Sequence, residues 1–252
     1  MQKFYRRSAP VLLSLAVWLL LWQMLSLRLD AEILLPAPHV VFRRFCALLV
    51  TAELWTAVLF SFVRIAGGFL LGLLCGASAA ALSARFRLVK EFLSPAMALI
   101  KASPVASFTI LLLTWVPSRN LSAVIAFLMT LPVIYTNLLA GISATDPLLL
   151  EMADLFGVGR LGRLRCIYLS QVLPFLRSGC GLALGLCWKA GVAAEVIGIP
   201  AGSIGERLYE SKIYYDIPGL FAWTVVIILM SLLFGRIFLG LLDSAMRAIE
   251  RM

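Results

Sequence analysis

The sequence predicts an all-α, polytopic membrane protein of about six transmembrane helices, on three observations. Of the 252 residues, 62% are hydrophobic and 14% charged, and the mean hydropathy is +0.99. Soluble domains are about a quarter charged, so this chain has too little polar surface to cover a water-facing globule. Six runs are apolar enough to cross a hydrocarbon layer about 30 Å thick, which takes roughly 20 helical residues. Lys and Arg gather on one side of those runs, as they do in cytoplasmic loops.

The runs occupy residues 8–27, 65–84, 92–116, 121–142, 172–199 and 217–242. A basic opening (Lys3, Arg6, Arg7) precedes the first. Arg28, Leu29 and Asp30 follow it in place of a small-x-small cleavage site, so it is expected to be a retained span rather than a signal peptide. Residues 39–60 are amphipathic, with Val40, Val41, Phe45, Leu48 and Leu49 against Arg43, Arg44 and Glu53. They are expected to lie at the membrane surface before the second span. In that span Gly68, Gly72 and Gly76, continued by Ala80 and Ala84, recur every four residues and predict close helix packing. Gly181 and Gly185 are expected to do the same in the fifth. Pro104 and Pro132 each remove a helix hydrogen bond and predict kinks in the third and fourth spans.

Orientation follows from charge. With the N-terminus inside, the cytoplasmic side holds eleven basic residues: Lys3, Arg6, Arg7, Arg85, Arg87, Lys90, Arg160, Arg163, Arg165, Arg247 and Arg251. The outer side holds six: Arg28, Arg43, Arg44, Arg119, Arg207 and Lys212. The difference favours both termini inside. The net charge of +9 therefore reads as topology, and with no soluble basic domain there is no nucleic-acid partner to expect. Five cysteines without a CxxC pair, and a single histidine, His39, point to no metal site and no cofactor.

The polar stretch between the fourth and fifth spans, residues 146–157, carries most information. Asp146 suits an N-cap, Pro147 the first helical position, and Gly157 a left-handed stop. This predicts a short, self-capped cytoplasmic helix, followed by Arg160, Arg163 and Arg165 and then a helix that re-enters the membrane past Pro174.

That stretch resembles the cytoplasmic-loop motif of ABC-importer permeases: E-A-A, three residues, G, nine residues, then I-x-L-P. Glu151, Ala153, Gly157, Ile167 and Leu169 stand at the corresponding positions, while Met152 replaces an alanine and Ser170 the proline. Pro174 matches a second proline common in the nitrate/sulfonate/taurine branch. Leu35-Pro36-Ala37-Pro38 is similar to that branch's L-P-x-P lead-in. Leu54-Trp55, and Ser61 through Phe69, resemble its L-W and S-x-x-R-x-x-x-G-F signatures. Ala193-Ala194-Glu195-Val196-Ile197-Gly198 resembles its A-E-M-x-G segment. Together these cover roughly residues 34–245 in the expected order.

The resemblance implies a type I ABC-importer permease fold in a bacterial inner or plasma membrane, acting as a homodimer surrounded by lipid. Two cytoplasmic ABC ATPase subunits would drive it, and an external substrate-binding protein would deliver a small solute of nitrate, sulfonate, taurine or related type. Residues 1–55 would form the first span and external segment, 56–245 the permease core and 246–252 a cytoplasmic tail. The helix at 146–157 would dock on the ATPase through an apolar ridge of Leu148, Leu149, Met152, Leu155 and Phe156, with Ala153 also among its coupling residues. Glu151 would set register and Gly157 the sharp stop. The alternative is an amphipathic helix lying on the membrane. The external loop at residues 199–216 would help receive the binding protein.

Arg64, Lys101, Arg177, Lys189 and Arg236 fall in or beside spans, with Glu195 the one acid well inside the fifth. A charge at the bilayer centre costs about 2.5–3.5 kcal/mol on insertion scales, so these side chains should face protein or water. Arg64, Arg177 and Arg236 can snorkel or pair near an interface. Lys101 (beside Ser103 and Pro104) and Lys189 are candidates for a translocation path, together with Ser103 and Glu195. A Lys101–Glu195 or Lys189–Glu195 structural pair is the competing reading. No G-x-x-x-x-G-K-[ST] is present, so the chain is not expected to hydrolyse ATP, and neither G-x-S-x-G nor H-E-x-x-H supports an intramembrane protease. A proton- or ion-coupled secondary transporter would not explain the capped helix. A methionine- or polyamine-type importer permease would share the loop motif but not the L-P-x-P and S-x-x-R-x-x-x-G-F signatures.

Overall fold

The computed structural model describes residues 2–29 and 34–250. Of the residues named above, Asp30, Arg251 and the side chains of Lys3, Arg6, Arg7, Arg160 and Arg165 lie outside that description. The described chain is all helical. The order is α1 (Gln2–Leu29), α2 (Pro38–Leu49), α3 (Ala52–Arg85), α4 (Arg87–Ala102), α5 (Val105–Leu112), α6 (Ser118–Ser143), α7 (Pro147–Leu155), α8 (Arg160–Arg163), a π-helical turn (Leu164–Leu169), α9 (Ser170–Gly198), α10 (Ile204–Ile213) and α11 (Ile217–Glu250).

Four described helices are long and apolar enough to cross a membrane: Ala52–Arg85, Ser118–Ser143, Ile167–Gly198 and Ile217–Arg247. A fifth crossing is available if α4 and α5 count as one broken span. The first predicted run corresponds to the apolar stretch Leu13–Leu29 of α1. It meets the next segment through Trp22, whose Nε1 donates to the Pro36 carbonyl at 3.1 Å, and Ser26, whose hydroxyl donates to the Leu35 carbonyl at 2.9 Å.

Two boundaries differ from expectation. The second span is not preceded by a separate surface segment reaching residue 60. Thr51 caps α3, accepting from Leu54 N at 3.4 Å, and no proline interrupts the next 34 residues. At about 1.5 Å per residue α3 is roughly 50 Å long, well beyond a bilayer core. Arg64 is accommodated because its Nε donates to the Arg119 carbonyl at 2.6 Å and its guanidinium lies over the Phe60 ring. Only α2 remains as the amphipathic lead-in, with Val41 and Leu48 buried.

The third predicted span, residues 92–116, is not one helix. The backbone leaves α4 at Ser103, α5 restarts after Pro104, and the two axes meet at 104°. A proline disfavours the helical conformation of the residue before it, and Ser103 is accordingly extended. Pro132, by contrast, sits inside an unbroken α6.

α6 lies between α3 and α9, the two largest helix contacts in the molecule. Gly68, Gly72 and Gly76 face α6 so closely that an added Cβ would fall 2.2 Å from the Ala123 carbonyl oxygen, 2.7 Å from Thr130 Cβ and 2.8 Å from the Leu131 carbonyl oxygen. Gly181 and Gly185 behave differently: a Cβ on Gly185 meets nothing within 4 Å, and one on Gly181 only the tip of Leu239. The same residue type thus serves packing at Gly68, Gly72 and Gly76, where it points at a neighbour, and not at Gly181 and Gly185, where it points outward. Trp188 of α9 closes the core among Phe62, Phe69, Phe234 and Phe238, its Nε1 donating to the Ile227 carbonyl at 3.0 Å.

Candidate coupling helix and translocation face

α7 forms where its cap residues place it. The Asp146 carboxylate accepts from Leu148 N at 2.9 Å, Pro147 occupies the first turn, and Gly157 takes φ +65°. Val158 N donates to the Ala153 carbonyl at 2.8 Å and Gly157 N to that of Asp154 at 3.1 Å, satisfying carbonyls that a helix end leaves open. Arg163 completes the turn, with Nε donating to the Val158 carbonyl at 2.8 Å and the guanidinium paired with Asp154.

Only Ala153 of α7 is buried. Leu148, Met152, Leu155 and Phe156 are 65%, 51%, 85% and 78% exposed, recurring at the three- and four-residue spacing of one helix face. Glu151 is exposed on that side, and among the described residues it has no ion-pair partner. The acid that stabilises the loop internally is Asp154, a role the sequence reading did not assign. Its signal was the spacing from Asp154 to Arg163 across the glycine stop.

The junction of α9 and α10 is built in the opposite way. Glu195 is fully buried. The Ser61 hydroxyl of α3 donates to its carboxylate at 2.6 Å and accepts from Ile204 N at 3.0 Å, and Gly205 N donates to the same carboxylate oxygen at 3.3 Å. Ser122 of α6, also fully buried, faces this carboxylate. One acid therefore joins α9 to α3 and α10. The approach demands glycine at 205, because a Cβ there would stand 2.3 Å from Glu195 Cβ.

α10 itself was not foreseen within residues 199–216, although Ser203 and Glu206 form a recognisable capping signature. Glu206 N donates to the Ser203 hydroxyl at 3.0 Å, and Gly202 N to the Glu206 carboxylate at 2.6 Å. Left-handed residues bound this unit, Ile199 at φ 45° and Tyr215 at φ 56°. Such conformations cost about 1–3 kcal/mol in a non-glycine residue and persist where the surroundings over-determine them. Arg207 ties α10 to α3, meeting Glu53 at 2.9 Å and Glu210 at 2.6 Å. Burial opposes its charge, but the Glu210 hydrogen bond and the charges of Glu53, Glu210 and Glu206 outweigh it and hold its pKa above the usual arginine value.

Of the remaining predicted residues, Lys101 and Lys189 are exposed, and neither has a carboxylate within salt-bridge distance among the described residues. The Lys101–Glu195 and Lys189–Glu195 pairs are thus not formed, because the Glu195 carboxylate is turned inward to Ser61 and α10. Ser103 is half-buried and returns its hydroxyl to the Leu99 carbonyl at 2.8 Å. Arg177 pairs with Asp243 of α11 at 2.5 Å. Lys101 lines a cleft of about 660 Å³ between α4 and α6. No cluster of metal-ligating side chains occurs among the described residues.

Comparison with known proteins agrees with this architecture. Residues 68–248 match the family model described as binding-protein-dependent transport system inner membrane component. A probable ABC transporter permease protein of Brucella melitensis is 25% identical over 90% of this chain and 91% of its own length. A putative aliphatic sulfonates transport permease protein of Bacillus subtilis is 27% identical over 94% of this chain and 83% of its own. The taurine transport system permease protein of Escherichia coli is 23% identical, covering 94% and 84%. The riboflavin transport system permease protein of Chloroflexus aurantiacus is 27% identical, covering 92% and 87%. A multi-pass helical bundle whose exposed, self-capped loop helix occupies the importer-motif position is a non-catalytic permease subunit, and this chain belongs to the binding-protein-dependent transport system inner membrane component family.

Proposed function

We propose that two copies of this chain form the membrane path of an ATP-driven importer, each contributing six spans with both termini in the cytoplasm. Residues 1–55 supply the first span and external lead-in, 56–245 the core and 246–252 a cytoplasmic tail. A cytoplasmic ABC ATPase docks on α7 of each copy, and an external binding protein delivers the solute near α10. The observation that carries this reading is α7. Its caps are satisfied internally while Leu148, Met152, Leu155 and Phe156 stand exposed with no neighbouring helix packed along them. A rigid helix presenting an apolar ridge, with Glu151 beside it and without an ion-pair partner among the described residues, is the form of a groove-docking element.

The solute is of sulfonate, taurine, nitrate or related type, a reading supported by the relatives named for aliphatic sulfonates and taurine. Lys101, Ser103, Lys189 and Glu195 belong to the path or its supporting wall. Glu151→Gln should insert normally and should lower solute uptake per ATP hydrolysed by about tenfold or more, the loss of one charged interface contact. Uptake in proteoliposomes containing the ATPase and binding protein, measured with phosphate release, checks this. Normal coupling in that variant contradicts the docking role of Glu151.

A further inference from the structure

The cleft between α4 and α6 is basic. Lys90, Ser94, Met97 and Lys101 line it from α4, at the three- and four-residue spacing of a single stripe, and Thr136 and Ser143 face them from α6. At 1.5 Å per residue the two lysines stand about 16 Å apart along the helix, one in its first turn and one beside the break at Ser103. Among the described residues no acid lines the cleft, and Glu91, the acid of α4, is held by Arg87 at 2.8 Å. Charge topology accounts for basic residues at this end of α4, but of Arg85, Arg87 and Lys90 only Lys90 turns into the cleft. The helix dipole favours a cation at Lys101 but disfavours one at Lys90. Clefts lined by one sign of charge with apolar walls raise the local concentration of counter-ions by about 10- to 1000-fold. Met97, Ala98 and Leu139 supply such walls.

We propose that this cleft is the cytoplasmic half of the solute route, and that it takes a small anion with a short apolar body, such as a sulfonate or carboxylate, passed from Lys101 to Lys90. The inference rests on the permease reading and adds to it the inner route, the role of Lys90 and the sign of the solute's charge. The relatives alone leave that sign open, since taurine is zwitterionic and riboflavin neutral.

The test places a reporter thiol in the cleft, Ser94→Cys or separately Thr136→Cys, in a chain whose five native cysteines are replaced by alanine. The full permease–ATPase complex is placed in phosphatidylcholine nanodiscs. Labelling by the anion 2-sulfonatoethyl methanethiosulfonate is compared with labelling by the cation 2-(trimethylammonio)ethyl methanethiosulfonate, each normalised to a free thiol. The expected anion preference is about tenfold or more, falling to near unity with Lys90→Met and Lys101→Met together, and unchanged when phosphatidylglycerol is added. No preference, a preference that survives both substitutions, or one abolished by phosphatidylglycerol (a headgroup occupant) overturns the proposal. Co-elution of the ATPase with the same samples tests the underlying reading separately: its loss from the parent complex contradicts the ATPase docking proposed above, whereas absent anion preference with the ATPase bound contradicts only the route.

Discussion

α7 and α10 are short helices at different turns of the chain, and each is capped by its own sequence. Asp146 and Pro147 start one, Ser203 and Glu206 the other. Their surroundings then diverge. Ile204 is fully buried, Gly205 lies against Glu195, and Arg207 bridges Glu53 and Glu210, so α10 is fastened into the bundle at three points. α7 buries Ala153, half-buries Leu149 and Leu150, and leaves Leu148, Met152 and Leu155 in the open. Capping suffices to form a helix in both places, while among the described residues only α10 is pinned by side-chain bonds to other helices. The exposed apolar ridge of α7 is the feature on which the proposed docking rests.

The comparison breaks most visibly at Gly205. Gly205→Val forces a side chain into the Glu195 backbone and should cost about 3 kcal/mol, at the upper end of overpacking effects. The thermal unfolding midpoint of the detergent-solubilised chain should fall markedly, whereas a midpoint within a degree of the parent contradicts the tight α9–α10 joint. Asp146→Ala removes the α7 cap and should cost about 1 kcal/mol, confined to that loop. Hydrogen exchange at Leu148 and Leu149 should quicken while the amides of α9 and α10 keep their protection. Asp154→Asn loses an exposed ion pair with Arg163 and should cost only about 0.2–1 kcal/mol. Its effect should show as slightly faster exchange at Val158, with global unfolding unchanged.

The parts most legible in the sequence were those governed by short-range physics. Composition and run length gave the membrane class, the Asp146-Pro147 to Gly157 pattern gave α7, and the glycine spacing gave the α3 face that meets α6. The long α3 was missed because a helix continues wherever nothing stops it, and hydropathy alone does not mark a start at Thr51. The 104° turn at Ser103-Pro104 and the unbroken helix at Pro132 share one residue type. The inward turn of Glu195 was invisible because Ser61, Ile204 and Gly205 are brought to it only by the packing of α3, α9 and α10. Gly181 and Gly185 show the converse: spacing allows a close approach but does not supply the neighbour.

The central claim is that the exposed ridge of α7 is the docking surface for the ATPase subunit, and Leu155→Asp with Phe156→Asp tests it most directly. Both side chains are far more exposed than buried, so the fold should survive with an unchanged unfolding midpoint. Affinity for the ATPase, measured by titrating the purified subunit onto the permease in nanodiscs, should fall at least about 30-fold, as for loss of an interface hot spot. An affinity equal to that of the parent, with the fold intact, would contradict the account.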